Sequence, residues 1–587
     1  MRLASSVAVL LALTTPATAD QPAKVGDRID NLTFKDIRYL SRSLNDFKDR
    51  KAFVLVFSTT SCPLVQRYWP ALNRLEKDYR DKGVQFLAVN VGDDDPITAV
   101  AAQAVRHEAE FPFVKDFDAV CAGKLGVKRV PEVVVLDADR KLRYRGRIGD
   151  QYRIGGARPA PTRHDLKEAL DAVLAGKPVA VPETTVDGCL VTRTEISAPK
   201  TPLTYAEHVA PILRKHCVEC HRPGTSAPFA LLTYEQAAAK ANTIAEVVRE
   251  QRMPPWYGAP DHVDFINRRG LSAKEREALR QWVKGGRQRG DDGKLPPLDL
   301  PRPDAWRIGE PDRVLDAPCH ELPAEGLIPY KYVFLPYVFQ EDTWVAAAQI
   351  RPDNPRVLHH CNMAYVRLGE QFAISNFITG TVPGGDAMTL EKGVAYHIPK
   401  GSLLVLQVHY ITTGKPEKCK IRVGFKYASG MIQKQLRFSY LATTRYSIPP
   451  GAPAHRVSTS RVLSCDAEGV GLFSHMHLRG RDMTFKAHYS DGKSETLLVT
   501  PNFNFDWQLA YRWAPGAKKL PKGTRLECVA HYDNSAFNPF NPDPKATVRD
   551  GQQTFNEMMN GFVFYLDADE QLGLEIDGKT GRVKTKK

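Results

Sequence analysis

The chain has 587 residues, enough for about four domains at ~150 residues each. Hydrophobic residues make up 43% and charged residues 25%, ordinary globular usage that excludes wholesale disorder, collagen-like repeats and a many-span membrane protein. The formal charge of +14 is spread along the chain, with no basic block beyond Lys584, Lys586 and Lys587, so nucleic acid is not an expected partner. Residues 1–19 read as a signal peptide: Met1-Arg2, an apolar stretch from Val7 to Leu13, then Ala17-Thr18-Ala19 before an expected cleavage at Asp20. That stretch is too short to span ~30 Å of hydrocarbon, and no later run reaches ~20 apolar residues, so no integral membrane segment is expected. The mature chain is expected to be periplasmic or secreted, where disulfides form and, in bacteria, c-type haem is attached.

Joints come next. An amphipathic helix over 165–175 is followed by Gly176-Lys177-Pro178 and Val181-Pro182-Glu183, which ends a domain near 182. A second Pro-rich run, Lys294 to Pro303, separates a helical middle segment from a remainder of short alternating and β-branched runs such as Leu403 to Val408 and Val563-Phe564-Tyr565. The expected order is a first domain at 20–182, a linker at 183–200, a helical domain at 201–292, a linker at 293–312, and two sandwiches at 313–432 and 433–587. The fold class is multidomain: α/β, then all-α, then two all-β sandwiches.

In the first domain the apolar run Ala52 to Phe57 leads into Ser58-Thr59-Thr60-Ser61-Cys62-Pro63, a helix to Tyr79 and a second strand, Val84 to Val89. This β-Cys-Pro-α-β order resembles the thioredoxin fold. Val130-Pro131 before the strand Glu132 to Leu136 resembles the Pro, usually cis, that faces the reactive cysteine in that family. The resemblance covers about 24–175 and implies a redoxin. A dithiol oxidoreductase needs a second cysteine to resolve the mixed disulfide, yet Val65 stands three residues after Cys62. A copper-chaperone relative would want a cysteine at Gln66, and a peroxiredoxin would have Pro at Leu55 ahead of Thr59 and Cys62. Cys62 and Cys121 are the candidate redox thiols, beside the alternative of a catalytically retired docking domain.

Cys217-Val218-Glu219-Cys220-His221 is the C-x-x-C-H pattern in which two thiols form thioethers with haem and the His ligates iron. Helix-like runs at Tyr205 to Lys215 and Leu271 to Gly285 resemble those of small cytochromes c, which implies an all-α cytochrome c domain. Met253, in Met253-Pro254-Pro255-Trp256, is the candidate second axial ligand. His208, His216 and His262 read as surface residues.

The C-terminal half holds His359-His360 at a strand, His409 in Gln407-Val408-His409, His475-Met476-His477 on one face of a strand, and Asn556-Glu557-Met558. Five imidazoles and a thioether suit copper, the thioether favouring Cu(I). Singly, each piece also reads as a surface pair, an out-facing strand or a core filler. The order resembles the type II copper monooxygenases, the family of peptidylglycine α-hydroxylating and dopamine β-monooxygenases, over about 315–570. The resemblance implies two jelly-roll-like sandwiches and two copper ions. His359, His360 and His409 would hold the electron-accepting copper; His475, His477 and Met558 would hold the one that binds dioxygen and acts on substrate. Phe473 and Phe562 replace the Arg and Tyr with which the peptide-amidating members grip a carboxylate, although Asn560 matches, so a less acidic substrate fits better. Met559 replaces a family cysteine, so Cys528 pairs differently or stays free. Eight cysteines outside the haem motif allow 105 full pairings; Cys319, Cys361, Cys419, Cys465 and Cys528 cannot all pair among themselves, and Cys361 has Cys189 as a possible bridge.

Joined, these modules lead to an expected exported copper monooxygenase hydroxylating a C–H bond of a small molecule or peptide with dioxygen, its electrons passing from a donor through a c-type haem. Two alternatives stand: a thiol redox or peroxide-handling protein centred on Cys62, and a non-catalytic copper and haem electron carrier.

Overall fold

A computed structural model describes residues 21–192, 202–261, 265–302, 304–367 and 369–584. The expected signal peptide and His262 lie outside the described residues. Two compact units emerge, the first built mainly from Ser41–Asp93 and from Val114 onward to residue 192, the second holding the helical segment and the β-rich half. Among the described residues, no helix is long and apolar enough to cross a membrane.

The first unit forms around continuous apolar runs, the pattern of strands covered on both faces. Ala52–Ser58, buried throughout, pairs in parallel with Val84–Asn90 and antiparallel with Glu132–Asp137, Leu55 lying between Leu87 and Val134 in a seven-stranded sheet. The helix Pro63–Arg80 begins directly after Cys62 because Pro63, whose missing N–H costs nothing in the first turn, presets the helical φ. Its inner face buries Leu64, Val65, Trp69 and Leu72. The expected C-terminal helix is present as Asp165–Leu174. This unit is the thioredoxin-like α/β domain expected from the sequence.

The domain does not stop at 182. Glu183 bridges to the strand Leu142–Gly146 through Arg145, and Cys189–Leu190 pairs antiparallel with Arg129–Val130, Cys189 opposite Val130. The start of the expected linker is therefore structured, held by backbone hydrogen bonds that no apolar periodicity signals.

In the second unit, residues 202–294 hold helices and, among the described residues, no strand: Ala210–His216, Tyr234–Ala239, Ala241–Arg249 and Ala273–Lys284. They pack around Leu213, Val218, Ile244, Val248, Leu279 and Trp282. Capping boxes at Thr233 and Ser272, each with its partner three residues on, start two of them.

The β-rich half builds two cores. In the first, the strands Thr343–Pro352 and Ile421–Tyr427 lie in one sheet and Leu358–Arg367 and Ser402–Tyr410 in another, enclosing Leu335, Val345, Met363, Leu406 and Val423. In the second, Ala467–His475 pairs with Asn560–Asp567 while Gly480–His488 pairs with Arg525–Tyr532, enclosing Leu472, Met483, Phe485, Leu526 and Val563. The expected boundary at 432/433 is crossed both ways. Lys434–Gln435 extends a sheet of the first sandwich through Val394–Ile398, and Gly430–Ile432 pairs with Leu574–Asp577 near the C-terminus.

Candidate functional site

Cys62 stands at the N-cap of the helix Pro63–Arg80, the end where the helix dipole favours an anion. It is 1% exposed, and its Sγ donates to Val130 O at 3.5 Å. The Val130–Pro131 peptide is cis, and Val130, the residue before the expected Pro, is the one that meets this cysteine. Glu132, nearly buried, holds the loop in place: its Oε2 accepts from Lys128 N at 3.1 Å and Arg129 N at 3.3 Å. Burial pushes the Glu132 carboxyl up, against the pull of those two N–H groups.

A second sulfur reaches Cys62, and it is not the expected one. Cys189 Sγ donates to Cys62 Sγ at 2.9 Å across 127 residues of sequence. Burial and this bond push the Cys189 thiol up to about 11, which keeps its hydrogen in place at neutral pH. Cys121 instead turns its thiol to Thr33 O at 3.4 Å, and burial with Asp116 nearby pushes that thiol far up. The suggested Cys361–Cys189 bridge gives way to the same finding, because Cys189 already faces Cys62.

In the helical segment, Cys217 to His221 make a single turn continuing Ala210–His216: Cys217 N donates to Leu213 O and His221 N to Cys217 O, both at 2.8 Å. His221 Nδ1 pairs with Phe229 O at 3.1 Å, which leaves Nε2 as its lone-pair nitrogen. Burial keeps this imidazole neutral by lowering its pKa. These groups fit a c-type haem attachment turn. Met253, half-buried ahead of a cis peptide to Pro254, lines another cavity with Trp256, Arg269 and Leu271. His208, read as a surface residue, is half-buried and bonds to Thr204 N, and His216, likewise half-buried, bonds to Glu275.

The histidines of the β-rich half converge. His359 and His360 on the strand Leu358–Arg367 meet His409 on Ser402–Tyr410, with one ligand atom from each within 4.8 Å of the others. A bulge between Leu358 and His360 puts two consecutive residues against one partner residue, which is how adjacent histidines share one site despite strand alternation. His475 lies at the end of Ala467–His475, its ring 5.2 Å from that of His477 and 6.4 Å from that of His360. The two histidine groups thus adjoin. Met558 lines a cavity of about 420 Å³ with His360, His475 and Gln508, and its sulfur accepts from Asn560 Nδ2 at 3.4 Å.

Three buried imidazole nitrogens here have no hydrogen-bond partner: His360 Nε2, His409 Nδ1 and His477 Nε2. Burial lowers the pKa of His360 and His475 and takes His409 and His477 down to about 3, so all four are neutral with lone pairs available. Neutral imidazoles with a thioether are a donor set that fits copper. The residues around them carry no motif. Asp506 bonds His359 Nε2 at 2.9 Å, Gln508 bonds His475 Nδ1 at 2.5 Å, and Phe505 stacks on His359 at 4.8 Å. All three come from one loop ahead of the strand Ala510–Arg512, and only the fold brings them to the histidines. Glu557, fully buried, accepts from His477 N and Arg479 N at 2.8 and 2.6 Å and so ties the His-x-His strand end to the Met558 segment. Phe473, Phe562, Phe372 and Phe377 line the same cavity, with Arg445 and Asp550 as its charged groups. A separate cavity has Glu219, Cys220 and Thr225 on one side and Leu358 and His359 on the other.

Comparison with known proteins places the redoxin family model on residues 24–154. A thiol-disulfide oxidoreductase ResA of Geobacillus thermodenitrificans (strain NG80-2) is 30% identical over 119 residues, 20% of this chain and 67% of that protein. The ResA of Bacillus thuringiensis subsp. konkukian (strain 97-27) is 26% identical over 125 residues, 21% of this chain and 70% of that protein. Among solved structures, a hypothetical protein from Sinorhizobium meliloti 1021 is 29% identical, covering 29% of this chain and 96% of its own length at a TM-score of 0.28.

Proposed function

Because the chain belongs to the redoxin family through residues 24–154, we propose that it is a thiol–disulfide oxidoreductase in which Cys62 is the reactive thiol. The observation that carries this reading is the placement of Cys62 at a helix N-terminus opposite the Val130–Pro131 loop with a second sulfur at 2.9 Å. It favours the thiol alternative over a retired docking domain, which has no use for a cysteine pair. The test is reduction of insulin disulfides by the purified full-length chain with dithiothreitol. Cys62→Ser should lower the rate to the background of dithiothreitol alone; a wild-type rate in that variant refutes the reading.

A second centre is proposed on a separate observation, the convergence of five histidines and Met558 with three unpartnered buried nitrogens. In this reading His359, His360 and His409 hold one copper and His475, His477 and Met558 another. When bound, copper supplies one-electron redox chemistry and dioxygen activation for attack on a C–H bond. The chain's own residues bind and orient: Asp506 and Gln508 fix two imidazole rings, Glu557 fixes the strand end, and the four phenylalanines give the cavity an apolar wall. Those rings support a substrate with an apolar portion, because Phe473 and Phe562 offer no counter-charge to a carboxylate. The Cys217–His221 turn is proposed to carry a c-type haem that receives electrons from an external donor, supported by the cavity it shares with His359. Copper content after dialysis, haem retained on the denatured chain, and oxygen uptake in the presence of a reductant test this centre. Metal-free, haem-free protein from a host competent in both insertions refutes it, and a wild-type oxygen rate in Met558→Ala refutes the role of Met558.

A further inference from the structure

Cys62 has no cysteine three residues on, since Val65 occupies that place and is buried in the helix's inner face. Cys62 is 1% exposed, whereas Cys189 is exposed. What brings the two together is a short return of the chain after the helix Asp165–Leu174. Cys189–Leu190 pairs with Arg129–Val130, Val191 N donates to Lys128 O at 2.9 Å, and Arg129 Nη1 donates to Gly188 O at 2.6 Å. Gly188 permits this approach: a Cβ there would meet Val130 O at 2.0 Å. The anchors of residues 188–191 fall on the three residues preceding Pro131, the same loop that Glu132 holds against Cys62. The register sets Cys189 opposite Val130, whose carbonyl already receives the Cys62 thiol, so the two sulfurs adjoin.

We infer that Cys189 is the resolving cysteine of Cys62, supplied by the tail of the domain instead of by a local dithiol motif. This deepens the thiol–disulfide reading and rests on it. The tail lifts, and the Cys62 thiolate attacks an external disulfide R–S–S–R′, forming a Cys62–S–R mixed disulfide and releasing R′–S⁻, which takes up a proton. The tail docks again, and Cys189, having given up its proton to solvent, attacks Cys62 Sγ. The Cys62–R bond breaks, R–S⁻ leaves and is protonated, and a Cys62–Cys189 disulfide forms. Two electrons pass from the two protein thiols to the external disulfide, which ends as two thiols. The tail also explains how a buried nucleophile stays reactive, because residues 188–191 are held over it by a two-residue strand and two further hydrogen bonds and can lift locally while Glu183 stays bridged to Arg145.

The test uses the reduced full-length chain and glutathione disulfide, quenched in acid at intervals and mapped by mass spectrometry after alkylation. In the wild type, Cys62 and Cys189 should be recovered as a cross-linked peptide with no glutathione left on Cys62. In Cys189→Ser, glutathione should stay on Cys62 and clear about a hundredfold more slowly, since the tethered thiol's effective concentration is lost. Clearance at the wild-type rate in Cys189→Ser, or wild-type chain that keeps glutathione on Cys62 with Cys189 open to alkylation, overturns the inference while leaving Cys62 as the reactive thiol. A Cys62 that never takes up glutathione, with full insulin reduction in Cys62→Ser, overturns both. Cys189→Ala repeats the measurement without a hydroxyl, and thermal unfolding of each variant confirms an intact fold.

Discussion

Gly188→Ala probes the tail without touching either sulfur. The added methyl would lie 2.0 Å from Val130 O and 2.7 Å from Val130 C, both backbone atoms that cannot swing aside. Tail and loop must separate by about 1.5 Å to restore van der Waals contact. That separation breaks the Arg129 Nη1 to Gly188 O and Val191 N to Lys128 O hydrogen bonds. At about 1 kcal/mol net for each, docking weakens by about 2 kcal/mol, roughly a thirtyfold change in the docked-to-lifted ratio. Two rates should then move in opposite directions. Alkylation of Cys62 by iodoacetamide, which needs the lifted tail, should rise, and closure of the Cys62–Cys189 disulfide, which needs the docked tail, should fall, by factors whose product is about thirty; with the docked tail dominant, nearly all of the change falls on alkylation. Both are read by peptide mass spectrometry on the full-length chain. An alkylation rate within twofold of wild type would show that the tail does not gate Cys62, and the reasoning would fail.

Other outcomes follow from the same geometry. Glu132→Ala removes the acceptor of Lys128 N and Arg129 N and should destabilise the first unit by about 1–3 kcal/mol, seen as an earlier urea transition by circular dichroism. Glu132→Gln keeps an acceptor oxygen and removes the titration. Since burial raises the Glu132 pKa in the fold, the folded chain binds a proton more readily than the unfolded one. Its protonated form favours folding, so the stability of wild type relative to Glu132→Gln should fall as pH rises from about 4.5 toward 7, measured by urea unfolding at several pH values. Asp506→Ala leaves His359 Nε2 without its partner and should weaken copper binding about 10- to 100-fold in competition with a chelator, with little change in unfolding temperature because Asp506 is exposed.

Some of this was legible from local pattern alone. Ala52 to Phe57 followed by Cys62-Pro63 is a strand of uninterrupted apolar residues running into a helix start, and both signals depend only on neighbours in sequence. Cys217 to His221 likewise form one turn because five consecutive residues suffice for it. The histidine pieces were visible one at a time, as strand residues at the ends of apolar runs. Their meeting was not, because it depends on a bulge after Leu358 and on which strands pair. Asp506 and Gln508 carried no signal at all, lying in a loop whose path is set by the sandwich around it. Cys189 falls in the expected linker since Gly188 to Val191 is too short for periodicity to mark it as a strand.

By itself, then, the sequence determined the chemistry on offer: a thiol at a helix start, a C-x-x-C-H turn, and imidazoles with a thioether on strands. These follow from short-range rules of helix initiation, strand alternation and residue type. Which groups become partners was decided only by the tertiary structure. Cys62 meets Cys189 across 127 residues, and His360 comes within 6.4 Å of His475, ring to ring. Contacts of that separation depend on sheet register and on the burial of whole cores, which are properties of the assembled chain and not of any stretch within it.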